Sequence, residues 1–191
     1  MKIITIAILV LLSVGISFKS DGQTRQPKHT SIELGYGRNL YSKMIVDGDF
    51  EKLLAESEIF NFGIHRVTKY KNIHRINFLH ITEKNISPVT NIRVGYTFEK
   101  TLSRGPYGRG FLGLLFGIGG GYESFDTSKY DKKNSFYPYG NLGLSYEFFL
   151  TRKLSLTIRD EGVFSFSKVT NNVQNNLIVG VKYKFRKSKS I

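Results

Sequence analysis

From Ser31 onward the chain alternates apolar and polar residues with a period of two, in segments separated by polar stretches. That period places successive side chains on opposite faces of an extended strand. The last segment, Val173–Phe185, is the clearest. Val173, Leu177, Val179, Val181, Tyr183 and Phe185 share one face. Gln174, Asn176, Gly180, Lys182 and Lys184 share the other, with Ile178 the only apolar residue there. Its length suits a tilted strand that crosses a bilayer.

Seven earlier segments carry the same signal. Ser31–Gly37 puts Ile32, Leu34 and Tyr36 on one face, and Ile59–Tyr70 puts Phe60, Phe62 and Ile64 in phase. Ile73–Ile81 is blurred, with apolar residues on both faces. In Val89–Glu99, Ile92, Val94, Tyr96 and Phe98 oppose Asn91, Arg93, Gly95, Thr97 and Glu99. Gly110–Glu123 sets Leu112, Leu114, Phe116, Ile118 and Tyr122 against Gly113, Gly117, Gly119 and Gly121. Phe136–Phe149 and Lys153–Phe164 follow, with Asn141, Gly143, Ser145 and Glu147, then Ser155, Thr157, Arg159 and Glu161, on their polar faces. Eight such segments predict an all-β fold: an eight-stranded, antiparallel, up-and-down transmembrane β-barrel, with Val173–Phe185 closing on Ser31–Gly37.

The connections predict a direction. Barrels of this kind place short turns on the periplasmic side and longer loops outside. The first connection, Arg38 to about Glu58, is long, and Phe50–Ala55 within it suits a helical turn. Lys71-Asn72 and Leu150–Arg152 are tight. Thr82–Pro88, Ser124–Ser135 and Ser165–Asn172 are polar loops. Lys100–Arg109 is longer than a periplasmic turn should be, and is the exception.

The N-terminus reads as a cleaved signal peptide over residues 1–22. Lys2 supplies the basic region, Ile3–Val14 is an apolar core too short to span a membrane as a helix, and Ser20 and Gly22 form the small pair before the cut. Residues 23–30 are a polar leader, 31–185 the barrel and 186–191 a basic tail. Export and alternation together place the protein in the outer membrane. There is no cysteine, which excludes a lipid-anchored cysteine, disulfides and thiolate metal sites. The formal charge is +13. Its densest run, Lys182, Lys184, Arg186, Lys187 and Lys189, reads as a tail meeting anionic outer-membrane lipid, and no direct nucleic-acid binding is expected.

Eight strands enclose room for side chains and not for an aqueous pore. The polar faces therefore predict a structural interior holding Arg93, Glu99, Glu123, Glu147, Arg159 and Glu161, with Glu33. Charges buried there need partners, and Arg93 and Arg159 are expected to pair with the carboxylates. No catalytic, cofactor or metal site is predicted. His74 and His80 lie six residues apart on one strand, too far to share an ion. His65 on the neighbouring strand could approach one of them. Arg159-Asp160-Glu161 does not make an acid/base pair, because neighbours on a strand face opposite sides. The run Gly117–Gly121 lacks the Lys-Ser/Thr of a phosphate-binding loop.

The second half resembles a known family. F-L-G-L-L-F-G-I-G-G-G-Y-E at 111–123, F-Y-P-Y-G-N-L-G-L-S-Y-E-F-F-L at 136–150, L-S-L-T-I-R-D-E at 154–161 and V-G-V-K-Y-K-F at 179–185 are similar to the conjugative transposon protein TraO of Bacteroidetes. I-E-L-G-Y-G at 32–37 fits more loosely. The resemblance implies a small outer-membrane barrel that serves a conjugative DNA-transfer apparatus as an accessory, through contacts with other proteins of that apparatus. It implies no enzyme activity and no cofactor. The alternatives are a general outer-membrane barrel, an adhesin or envelope-stability protein, and a soluble periplasmic lipocalin-like binder with its apolar faces turned inward.

Overall fold

The computed structural model describes residues 29–41, 56–83, 89–104, 110–124, 134–166 and 173–185. These hold eight strands: β1 Thr30–Tyr41, β2 Glu56–Val67, β3 Ile73–Glu83, β4 Val89–Arg104, β5 Gly110–Ser124, β6 Asn134–Phe149, β7 Leu154–Ser165 and β8 Val173–Lys184. No helix occurs among the described residues. The expected signal peptide, the helical turn at 50–55 and the tail at 186–191 lie outside them. Of the expected leader, His29 is already buried, its carbonyl accepting a hydrogen bond from the Val67 amide at 3.0 Å, and Thr30 begins β1.

Every strand runs antiparallel to the next, and β8 pairs with β1, so the sheet is a closed barrel. Closure removes both sheet edges, which otherwise present unpaired backbone groups. The register fixes the geometry. A path along paired residues leaves β1 at Ser31, passes His65, Arg75, Thr97, Gly117, Asn141, Val163 and Gln174, and returns to β1 at Tyr41, ten residues further on. That stagger over eight strands corresponds to a strand tilt of about 40°.

The one predicted exception in connection length disappears. β4 continues to Arg104, with a register shift between Thr101 and Ser103, so the connection to β5 is only 105–109. A bulge of this kind interrupts strict alternation, which is why the sequence pattern stops at Glu99. The end of the barrel carrying the connections 68–72, 105–109 and 150–153 therefore has only four- and five-residue connections, and both ends of the described chain lie there. In the first of these turns the Thr68 amide donates to the Asn72 carbonyl at 2.8 Å. Lys71 takes a left-handed conformation, φ 66°. The Thr101 hydroxyl and amide tie the turn to β4, bonding the Lys71 carbonyl at 2.8 Å and Asn72 Oδ1 at 3.2 Å. At 150–153 the Thr151 hydroxyl accepts from the Lys153 and Leu154 amides at 3.2 and 3.0 Å.

Alternation sorts the side chains cleanly. Leu34, Phe62, Ile76, Val94, Ile118, Leu142, Phe164 and Val179 point out and are exposed, while their neighbours in sequence point in. The blurred third segment resolves in the same way. Ile73, Arg75, Asn77, Leu79 and Ile81 are buried inside, and Ile76 and Phe78 are exposed outside. Both faces of β3 carry apolar residues because Leu79 and Ile81 join Ile59 and Ile178 in an apolar cluster within the lumen.

Two glycines on β6 separate close approach from open space. A Cβ at Gly143 would stand 2.1 Å from the Asp160 carbonyl oxygen and 2.8 Å from the Glu161 Cα, whereas the nearest atom to one at Gly140 is 3.7 Å away. Gly143→Ala is expected to destabilise the barrel by about 2 kcal/mol, because the obstructing atoms are backbone of the next strand. Gly140→Ala should change stability by less than about 0.5 kcal/mol. Urea unfolding midpoints of the refolded variants check both.

Candidate functional site: the charged interior of the barrel

Arg93, Glu99, Glu123, Glu147, Arg159, Glu161 and Glu33 are all buried inside. They do not form one cluster. Their heights along the strands divide them into three layers, and each layer has a different chemistry.

Nearest the tight turns, Glu147 on β6 receives two lysines of β8. Its Oε2 lies 3.2 Å from Lys182 Nζ and its Oε1 3.2 Å from Lys184 Nζ, and the Ser155 hydroxyl donates to Oε1 at 2.8 Å. Lys182 and Lys184 thus belong to the lumen and not to the basic tail in which the charge run places them. Strand parity outweighs charge density here, since even-numbered positions of β8 face inward. Lys184 Nζ also sits 3.6 Å above the Phe149 ring, which packs edge-on against Phe111.

The middle layer holds two ion-pair systems. Arg159 bridges two carboxylates, with Nη2 3.0 Å from Glu33 Oε1 and Nη1 2.8 Å from Glu161 Oε1. Asn61 and Asn141 donate to the same two carboxylates at 3.3 and 3.0 Å. Arg75 Nη2 lies 2.7 Å from Glu99 Oε2. His65 Nε2 stands 3.9 Å from Glu33 Oε2.

Toward the longer connections comes an apolar step made by Ile59, Leu79, Ile81 and Ile178 and by Tyr137, Tyr139 and Val163. At the same level, beside Leu79, Arg93 Nε donates to the Tyr137 hydroxyl at 2.8 Å, and Nη2 to Gln174 Oε1. Its guanidinium carbon lies 5.7 Å from the ring centroids of both Tyr137 and Tyr139, within cation–π range. The Tyr137 hydroxyl passes the chain of bonds on to Asn91 Oδ1 at 2.7 Å, and Asn39 reaches Gln174 at 2.9 Å. Glu123 is the register partner of Asn91 in this layer.

The network differs from the expected one in its cations. Arg159 pairs with carboxylates as expected, but the bonds that hold Arg93 come from a phenol and an amide. Glu99 and Glu147 are matched by Arg75, Lys182 and Lys184. Arg75 escaped the sequence reading because the alternation of its strand was blurred by Leu79 and Ile81. Lys182 and Lys184 were visible on the correct face of β8. Counted together, the described interior holds Glu33, Glu99, Glu123, Glu147 and Glu161 against Arg75, Arg93, Arg159, Lys182 and the nearly buried Lys184, and is formally neutral. The +13 of the chain therefore resides outside this interior.

The histidines do not meet. His65 faces the lumen, while His74 and His80 are on the outward face of β3, where His74 Nδ1 bonds the Tyr96 hydroxyl. Asp160 points away from its two neighbours in sequence, on the outer surface. Among the described residues no three His, Asp or Glu side chains are grouped to hold a metal ion.

No family model matches the chain, so the likeness to TraO rests on the residues quoted above. No curated protein matches it either. Solved structures do, at the level of fold. Neisserial surface protein A is 13% identical, with 82% of this chain and 96% of that one aligned and a TM-score of 0.58. Ail, the attachment invasion locus protein of Yersinia pestis, is 14% identical over 84% and 100%, at 0.53. The N-terminal β-barrel domain of Pseudomonas aeruginosa OprF is 12% identical over 83% and 98%, at 0.52. Over these aligned parts the chain shares the eight-stranded barrel fold of the three structures.

Removing one member of a buried ion pair strands the other, at a cost of about 3–5 kcal/mol, while replacing both with apolar residues of similar volume is close to neutral. Glu99→Leu alone should therefore lower stability by about 3 kcal/mol or more. Adding Arg75→Met should recover most of that loss in the same urea titration.

Proposed function

We propose that the protein is an integral outer-membrane β-barrel with a filled lumen, acting through contacts with partners and neither as an enzyme nor as a wide channel. The observation that carries this is the sign of the surface. Leu34 is 64% exposed, Ile118 71% and Phe60 51%, and comparable apolar side chains cover the outside of all eight strands while the ion pairs are inside. A soluble protein does not keep so large an apolar surface in water. In hydrocarbon the same surface is favourable, and a closed sheet leaves no backbone group unpaired. Aromatic pairs stand near both rims, Tyr122 with Phe136 toward the longer connections and Tyr183 with Phe185 beside the turns. The tight turns and both ends of the described chain would face the periplasm. A lipocalin-like binder requires the reverse arrangement, with apolar residues lining a cavity.

The expected behaviour is retention in the membrane after an alkaline wash, together with faster gel migration before heating than after. Recovery wholly in the soluble periplasm would sink the membrane reading. In planar bilayers the purified barrel should pass far less current than a large porin, because Arg159, Glu33, Glu161 and the apolar step above them occupy the lumen.

Within that class we assign the protein to a conjugative DNA-transfer apparatus as an accessory component. The support is the resemblance of residues 111–123, 136–150, 154–161 and 179–185 to TraO, which covers β5 to β8. DNA does not fit a lumen filled with side chains, so its contribution would be structural. Deleting the gene should lower transfer frequency at least tenfold, with recovery on complementation. Undiminished transfer would favour a general envelope barrel instead.

A further inference from the structure

On the outward face of the described strands, the charged side chains lie near the rims, with one departure. Arg38, Glu58, Arg66 and Lys100 are each within four residues of a strand end. Asp160 is at the centre of β7, with Leu154, Leu156 and Ile158 outward on one side of it and Gly162 and Phe164 on the other. Its register partners are Leu144 and Leu177, both outward and apolar. Among the described residues no side chain forms an ion pair or hydrogen bond with its carboxylate. If the belt meets hydrocarbon, as the proposed function holds, this acid lies at mid-depth. An ionisable side chain there is costly and calls for a partner from another molecule.

We propose that the face formed by β7, β8 and β1 is a homodimer interface in the membrane, in which Asp160 of each copy receives Arg38 of the other. The argument is charge complementarity under twofold symmetry. Asp160, Leu177 and Arg38 form one line of register across three adjacent strands, with the acid and the base flanking the central leucine. A twofold axis parallel to the barrel axis and passing beside Leu177 sets β7 of one copy against β1 of the other, so both charge pairs form at once. Such an interface is isologous and closes at two copies. The line climbs about 3 Å per strand at this tilt, which places Arg38 about 6 Å nearer the loop end, within reach of an extended arginine. Five N–H donors allow Arg38 to keep its contacts within its own chain and still take the carboxylate of Asp160 from the other copy. Asn175, exposed on β8, would meet its own copy across the axis.

Three strands give a face about 14 Å wide and about 25 Å tall, roughly 350 Å² per copy. That is less than half of a standard stable interface. Apolar contact gains little in lipid, so the polar pairs must decide the association.

The chain lacks cysteine, so single cysteines report contact without background. Leu177→Cys, refolded into phosphatidylcholine vesicles, should give a disulfide-linked dimer under mild oxidation. Val94→Cys, on the far side of the barrel, should not. Adding Asp160→Asn, or separately Arg38→Gln, to Leu177→Cys should cut the dimer yield at least tenfold while heat-modifiable migration stays unchanged. Equal cross-linking at both cysteine positions, monomers throughout, or no effect of either charge variant would overturn the dimer. Those outcomes in a folded, membrane-bound barrel leave the membrane reading intact. A soluble protein without the migration shift would instead remove the premise.

Discussion

The pairing of β8 with β1 is the constraint from which the rest of this structure follows. Eight strands with a stagger of ten residues leave one narrow lumen, and the sheet has no edge at which it could open. Every second side chain is forced into that lumen whatever its chemistry. The sequence answers with small residues where strands face bulky neighbours and with charges that cancel. Gly95, Gly119 and Gly121 lie under Tyr139 and Tyr137, whose ring or hydroxyl atoms a Cβ at those positions would strike.

The interior is thus a core built inside out. A soluble domain gains stability by burying apolar area and tolerates a few polar groups. Here most of the buried side chains are polar, and their stability depends on mutual satisfaction. A buried pair is weak evidence of net stabilisation. Its effect is specificity, since a slip of one residue on β7 would turn Arg159 and Glu161 outward together with every other lumen side chain on that strand, and a slip on β1 would do the same to Glu33. Register is held from both sides, by charge seeking charge inside and by apolar residues seeking an apolar medium outside.

Period-two alternation was enough to place all eight strands and the inward position of Glu33, Arg93, Glu99, Glu123, Glu147, Arg159 and Glu161. It was not enough to pair them. Partners such as Arg75 and Glu99 come from neighbouring strands, but Arg159 reaches Glu33 across β8, and the tilt and stagger that bring them together arise only on closure. Parity also failed locally where a second rule intervened. The bulge in β4 hid the end of that strand, and lumen residues Leu79 and Ile81 disguised the face on which Arg75 lies.

Parity makes the exceptions informative. An inward leucine or isoleucine such as Leu115 or Ile178 is tolerated because the lumen is crowded with side chains, and both are fully buried. An outward polar residue near a rim reaches water or head groups. An outward acid at mid-strand has neither remedy within its own barrel. Asp160 lies between Arg159 and Glu161, which are ion-paired to each other inside, so rotation of the strand to hide it would expose both. The fold therefore holds Asp160 on the surface as firmly as it holds the ion pairs in the lumen. Whatever answers that carboxylate must come from outside the barrel.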